Sequence, residues 1–186
     1  LNNEEPYFPL KVMVCDQCWL VQTLDYTSAE ELFSKDYAYF SSTSSSFLLH
    51  AKEYSKNMIN SLSLSEDSLV IEIASNDGYL LQYFKGYEIP CIGIEPTSST
   101  AAVAKEKGID VIGDFFGAKL AKNLKKSDLI IGNNVLAHVP DINDFVEGLK
   151  IALKDNGTIT LEFPHLLNII NENQFDTIYH EHFSYL

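Results

Sequence analysis

Between Leu69 and Phe163 the chain repeats one pattern: a short apolar run, a polar or glycine-bearing break, then a stretch with helical spacing. The runs Leu69–Ala74, Cys91–Ile94, Val111–Ile112, Asp128–Ile131 and Thr158–Phe163 are dominated by β-branched residues. Such side chains fit a pleated surface, so each run reads as a strand. The stretches Tyr79–Phe84, Ser98–Lys107, Phe116–Leu124 and Asp141–Leu153 read as the intervening helices, and Asn156-Gly157 reads as the turn before the last strand. Strands alternating with helices at this interval have few packing solutions. The expected one is an open α/β fold of right-handed βαβ units, with a largely parallel, Rossmann-like sheet and helices on both faces. No internal repeat competes with that reading.

The residues before the core are different in kind. Residues 1–26 read as an extended segment and a small knuckle, in which Val12, Val14, Trp19, Leu20 and Val21 flank Cys15 and Cys18. A C-x-x-C grips one zinc ion with two thiolates, but tetrahedral zinc takes four ligands, so the chain offers half a metal site. Ser28 and Glu31 have the spacing of a capping box for a short helix. The serine tract Ser41–Ser46 precedes Phe47, Leu48, Ala51, Tyr54, Met58, Ile59 and Leu62, which recur at helical spacing. Ser44 or a neighbour is the expected N-cap of a long amphipathic helix.

Composition narrows the partners. A formal charge of −13 argues against nucleic acid or an anionic membrane surface, both of which call for a basic face. No run approaches the roughly 20 apolar residues that span a bilayer, and no signal-peptide pattern opens the chain. Three cysteines, with Cys91 in an apolar strand, give no disulfide framework. A soluble, cytoplasmic protein acting on a small molecule is the expectation. Its 186 residues suffice for one well-cored domain with an appendage, and oligomeric state has no signature.

Two places carry the chemistry. The first is Glu72-Ile-Ala-Ser-Asn-Asp-Gly-Tyr79, where a strand ends in small residues and a helix begins. Ala74, Ser75 and Gly78 let a ligand approach the backbone. Glu95 ends the next strand before Pro96, where a carboxylate accepts from ribose hydroxyls. A dinucleotide would want G-x-G-x-x-G, but Ala74, Asn76 and Tyr79 stand at those positions, and Asp77 would repel a pyrophosphate. An acidic, polar turn suits the cationic S-adenosylmethionine better. Asp114 and Phe115 follow the third strand, where an Asp accepts from an adenine amino group and a Phe packs on the ring; the competing role for Asp114 is a helix cap. Asn133, Asn134 and His138 follow the fourth strand, at the edge where open α/β sheets bind ligands.

The second place is the tail, Phe175-Asp-Thr-Ile-Tyr-His-Glu-His-Phe-Ser-Tyr185. It gathers Tyr179, His180, Glu181 and His182, groups that move protons near neutral pH. If the segment is helical, Tyr179 and His182 share a face. His180 and His182 with Glu181 also form an H-x-H metal pattern, although no third ligand or supporting shell is visible.

Taken together, Cys15-x-x-Cys18 before Trp19-Leu-Val-Gln22, Tyr37-Ala-Tyr-Phe-Ser-Ser-Thr-Ser44, the turn Glu72–Gly78, Gly93-Ile-Glu-Pro96, Asn134-Val-Leu-Ala-His-Val-Pro140 and the tail resemble the sugar C-methyltransferases that act on nucleotide-linked 4-keto-6-deoxyhexoses. The resemblance implies a class I methyltransferase core over residues 65–164, preceded by a partial zinc-binding segment over 1–40 and a long helix over 41–64. Residues 165–186 would begin a C-terminal domain that helps hold the nucleotide sugar. It further implies a fragment of a longer protein, because the family usually carries an earlier C-x-x-C and continues past the tail motif. Its turn commonly has Gly where Ala74 stands. The resemblance makes His182 the base. Beside it, Tyr179 is placed to stabilise the enolate oxygen or hold the sugar, Glu181 to orient a histidine or bind a sugar hydroxyl, and His180 is the rival base. An O- or N-methyltransferase, an NAD-dependent oxidoreductase and a non-catalytic nucleotide-sugar binder are the alternatives.

Overall fold

The computed structural model describes residues 7–24 and 39–186, and the capping box expected at Ser28 and Glu31 lies outside the described residues. The organising strand is β3 (Val70–Ile73), with all four residues buried. It pairs in parallel with β4 (Cys91–Ile94) on one side and β6 (Ser127–Asn133) on the other. Strands β5 (Asp110–Ile112) and β7 (Leu153–Glu162) flank these, giving the order β5-β4-β3-β6-β7 with every pair parallel. The chain therefore leaves β3 in one direction and returns to build β6 and β7 on the other side. The carboxyl ends of β3 and β6 form the topological switch point, the crevice where such sheets take ligands.

Pleating divides the core in two, because successive strand side chains face opposite ways. Val70, Leu129 and Ile131 join Leu81 and Phe84 of α2 (Leu81–Gly86) and the apolar stripe of α1 (Ser45–Leu62). Ile71, Ile73 and Ile130 pack instead with Phe145, Leu149 and Ala152 of α5 (Ile142–Ala152). Ile71, Leu129 and Ile130 have no exposed surface, and each buried side chain of this size contributes about 1.5–3 kcal/mol. α1 begins where its stripe predicts: the Ser44 hydroxyl accepts from Phe47 N, satisfying an amide the first turn leaves without a partner. Asp141 caps α5 in the same way.

Helix α3 (Ser98–Glu106) falls within its predicted span. α4 (Ala118–Ala121) is shorter than the stretch 116–124. A Cβ on Gly148 would lie 2.8 Å from the backbone of Gly117. α5 thus presses on the start of α4, and its Asp144 carboxylate receives Ala118 N. The expected turn at Asn156-Gly157 is absorbed into β7. The β6–β7 register runs from Ser127↔Leu153 to Leu129↔Thr158, so residues 154–157 bulge out of the ladder.

Near the start of the described chain, β1 (Val12–Val14) and β2 (Val21–Thr23) form an antiparallel hairpin around the Cys15–Cys18 turn. Its second edge is occupied by β8 (Ser184–Tyr185), which pairs Val21↔Tyr185 and Gln22↔Ser184. After α6 (Leu166–Asn171) the chain thus returns to close a small sheet with residues more than 150 positions earlier. No helix among the described residues is long and apolar enough to cross a membrane.

The turn after β3 is tightly wound. Ala74, Asn76 and Gly78 have φ of +55°, +49° and +74°. At Gly78 a Cβ would meet the Ile109 side chain at 2.4 Å, so glycine is required there twice over. Asn76 tolerates its conformation, but Ala74 bears a cost of about 1–2 kcal/mol. Ala74→Gly removes that cost against an unfolded-state penalty of about 0.4–1 kcal/mol. The variant is expected to melt about 2–4 °C higher by differential scanning calorimetry; a lower melting temperature would show that the Ala74 methyl contributes packing outweighing its backbone strain.

Candidate active site

A cavity of about 700 Å³ opens at the switch point, lined by residues of the turns after β3, β4, β5 and β6 together with the tail. Of the residues singled out in the sequence, Ala74, Asn76, Glu95, Pro96, Asp114, Phe115, Asn133, Asn134, His138, Tyr179, Glu181 and His182 line it. Glu72, Ser75, Asp77, Gly78 and His180 do not.

The turn explains that division. Glu95 accepts Asn76 N on one oxygen at 2.9 Å and Thr97 N on the other at 2.8 Å. The carboxylate is thereby fixed at the cavity wall, and each oxygen keeps a lone pair for a ligand hydroxyl. Ser75 is fully buried beneath the turn, in space left by Gly93, whose Cβ would sit 2.3 Å from the serine Oγ. Asp77 turns away from the cavity. Its carboxylate receives the Ser42 hydroxyl and lies 3.4 Å from Lys107 Nζ, which also donates to the Asp77 carbonyl at 2.7 Å. Asn76 holds the same strap: Oδ1 accepts Ser41 N at 2.9 Å and Nδ2 donates to the Tyr39 carbonyl at 3.0 Å. Tyr39 and Ser41 consequently reach the cavity wall. Neither is singled out as a site residue in the sequence, where the serine tract reads as helix entry; the signals are the hydroxyl-rich run and its place in the motif Tyr37–Ser44 that carries the resemblance.

Beneath the cavity lies Glu72, 1 % exposed, with the Tyr79 side chain beside its carboxyl group. Burial, then the carboxylates of Glu95 and Asp77, push its pKa well above the ordinary carboxyl range. Tyr79, also at the wall, is raised by burial and next by Glu72; its ring stacks on Phe47 at 4.8 Å. Asp114 Oδ1 accepts Phe115 N at 2.8 Å, so its capping role serves its own turn, while Gly117 is the N-cap of helix α4. Asn134 has φ +52° and ties β6 to β7 through Glu162, donating Nδ2 to Oε1 at 3.2 Å.

The residues present fit S-adenosylmethionine. Small Ala74 and the Glu95 carboxylate border the space, and Asp114 and Phe115 stand further along it. They do not complete a zinc site. The backbone amides of Cys18 and Gln17 lower the Cys15 thiol, favouring the thiolate that binds metal. Yet no group of three or more His, Cys, Asp or Glu is placed to hold a metal among the described residues.

The tail forms a turn, where helical spacing was one expectation: His182 N donates to the Tyr179 carbonyl at 3.1 Å, after a one-turn 3-10 helix at Phe175–Thr177. The turn nonetheless brings Tyr179 and His182 together. The His182 Nδ1 lies 2.9 Å from the Thr177 carbonyl, which only accepts, so Nδ1 carries the hydrogen. Nε2 therefore bears the lone pair, and the Tyr179 hydroxyl donates to it at 3.0 Å. His138 meets the His182 ring edge-on at 4.7 Å. Burial lowers the pKa of His182. Burial first, and His182 second, lower His138 to about 4. Glu181 is raised by burial. His180 points elsewhere, with Nε2 3.1 Å from the Phe8 carbonyl and its ring against Phe8. The two histidines of the H-x-H pattern thus diverge.

Residues 48–186 match a family model described as "Methyltransferase domain", and residues 1–33 match one described as "Putative zinc binding domain". The C-methyltransferase NovU of Streptomyces niveus is 32 % identical over 185 residues, covering 97 % of this chain and 44 % of NovU. The chain thus spans less than half the length of that curated relative. A SAM dependent methyltransferase from Archaeoglobus fulgidus has a TM-score of 0.58 at 16 % identity, covering 73 % of this chain and 62 % of that one. The plantazolicin methyltransferase BpumL, solved with SAH, gives 0.53 at 16 % identity, covering 69 % and 50 %. The parallel five-stranded sheet is the fold these structures share.

The raised pKa of Glu72 has a measurable consequence. Unfolded, the side chain ionises near pH 4.3; folded, its pKa is raised. Above the unfolded value, the native state holds a proton that the unfolded state releases, so rising pH favours unfolding at this site. Glu72→Gln keeps the shape of the neutral acid and removes this linkage. The variant is expected to gain melting temperature over wild type at pH 8 and to lose that advantage at pH 4; equal differences at both pH values would refute the raised pKa.

Proposed function

The chain belongs to the S-adenosylmethionine-dependent methyltransferases, and on that premise we propose that it is the core of a C-methyltransferase acting beside the ketone of a nucleotide-linked 4-keto-6-deoxy sugar. The observation that carries this reading is a buried imidazole with its lone pair on Nε2, lining the same cavity as the turn after β3. Transfer to oxygen or nitrogen has no need of a base that removes a carbon-bound proton. The NAD-dependent alternative lacks a glycine-rich turn, since Ala74, Asn76 and Tyr79 occupy the positions such a turn requires. Support for carbon as the methyl acceptor comes from NovU, a C-methyltransferase by name; the substrate class rests on the resemblance carried by the tail motif.

Ala74, Asn76, Glu95 and Pro96 would hold the methionine and ribose portions of the cofactor, Asp114 and Phe115 the adenine, and Asn133, Asn134 and His138 the facing wall. Glu72, Ser75, Asp77 and Gly78 support that surface from behind. When bound, S-adenosylmethionine supplies a sulfonium-activated methyl group to a nucleophilic carbon. The protein's part is to make that carbon nucleophilic. The carbon beside the ketone gives its proton to His182 Nε2, and its electron pair delocalises onto the ketone oxygen. Tyr179, whose hydroxyl covers Nε2 in the resting site, turns to donate to that oxygen and uncovers the base. The Thr177 carbonyl keeps Nδ1–H in place and stabilises the imidazolium. Glu181 stands at the wall to take a sugar hydroxyl. Cys15 and Cys18 supply half of a zinc site that lies outside this chemistry. The working units are residues 1–40, 41–64, 65–164 and 165–186, with nucleotide-sugar contacts supplied from the last.

His182→Asn is expected to lower turnover by about 10²–10⁴-fold while titration with S-adenosylhomocysteine shows unchanged affinity; undiminished turnover would remove His182 as the base. Because burial lowers the His182 pKa, the base is already neutral at pH 7. The rate should therefore be flat above neutrality and fall only below pH ~6.5. Methyl carbon-13 appearing on a sugar oxygen would favour the O-methyltransferase instead.

A further inference from the structure

We infer that Thr23, carried by the N-terminal hairpin, is a positioning residue for the His182 imidazole. The inference rests on His182 being the base. His182 sits in a turn, where neither a helix nor a sheet ladder fixes its backbone. Its carbonyl instead accepts the Thr23 hydroxyl at 2.6 Å, in a buried hydrogen bond between residues 159 positions apart. The next carbonyl, that of Phe183, accepts Thr23 N at 3.2 Å. One residue of β2 thus gives both of its hydrogens to two consecutive carbonyls of the active turn. From the opposite side Phe183 N donates to the Ala137 carbonyl at 2.7 Å, immediately before His138. The peptide that follows the base is clamped between the hairpin and the loop after β6.

Thr23 is 7 % exposed and lies outside the cavity lining. It touches no reacting atom, so whatever it does for the reaction passes through the backbone of His182. The turn also sets the distance from His182 Nδ1 to the Thr177 carbonyl, the contact that leaves the lone pair on Nε2. A base misplaced by about 1 Å costs on the order of 10²-fold in rate. A hydroxyl that only stabilises the fold would lower the melting temperature and leave the chemistry of the native state alone.

The test compares Thr23→Val, which keeps the shape and deletes the donor, with Thr23→Ser, which keeps the donor. Imidazole nitrogen-15 resonances of the unliganded protein report the tautomer. Wild type and Thr23→Ser should show His182 protonated on Nδ1 at pH 7.5, and Thr23→Val should show a mixture. In steady-state assays Thr23→Val should lower kcat about tenfold or more with little change in KM for the methyl donor, and Thr23→Ser should restore it. Thr23→Ala serves in the same pair of measurements if the valine variant fails to fold. A Thr23→Val or Thr23→Ala protein with wild-type kcat and a single Nδ1–H tautomer overturns the inference, as does a serine variant equally impaired. Failure of the base reading is distinct: His182→Asn would then retain activity, whatever the tautomer readout says of Thr23.

Discussion

Strand β3 is paired in parallel on both sides, and this constraint brings together the candidate site residues that follow the strands of the large sheet. A parallel neighbour on each edge sends all the following turns to one end of the sheet. The turns after β3, β4, β5 and β6 therefore converge around a single cavity. The pairing is close enough that Ser75 occupies the space a side chain at Gly93 would need. It also lets the Glu95 carboxylate, at the end of one strand, take an amide from the turn at the end of its neighbour. The wound backbone at Ala74 and Asn76 persists because the contacts around it over-determine it.

The core was legible because its signal is local. β4 begins at Cys91 and ends at Ile94 in sequence and structure alike, since β-branched runs bounded by polar breaks admit no other periodicity. Ser44 as helix cap follows from the stripe it precedes. Where tertiary contacts decide, the sequence was silent. The bulge that absorbs Asn156-Gly157 depends on register against β6, and the shortening of α4 depends on how closely α5 approaches. The pairing of β2 with β8 joins strands of three and two residues, too short to show any alternation.

The site was legible in its residue types and less so in their directions. Acidic and amide groups after each strand were recognisable from position alone, and most of them line the cavity. Asp77 does not, because Ser42 and Lys107 draw its carboxylate to the far side of the turn. His180 and His182 are two apart, yet one reaches Phe8 and the other Thr177; only the turn geometry separates them. The chain's −13 charge is in part interior. Glu72, Asp77 and Glu95 are each 5 % exposed or less; the pKa of the first is raised, the second meets a lysine and the third accepts a pair of amides.

The closure of the small sheet by β8 also orders events in time. Contacts between residues some 160 positions apart carry a large loop-closure entropy, offset only after the intervening chain has collapsed. The five-stranded core, whose neighbours in sequence are mostly neighbours in space, has no such wait. The tail turn is therefore held by pairing that the five-stranded core does not supply, and a chain that kept the core but lost the hairpin would keep the turns around the crevice without the edge on which β8 rests.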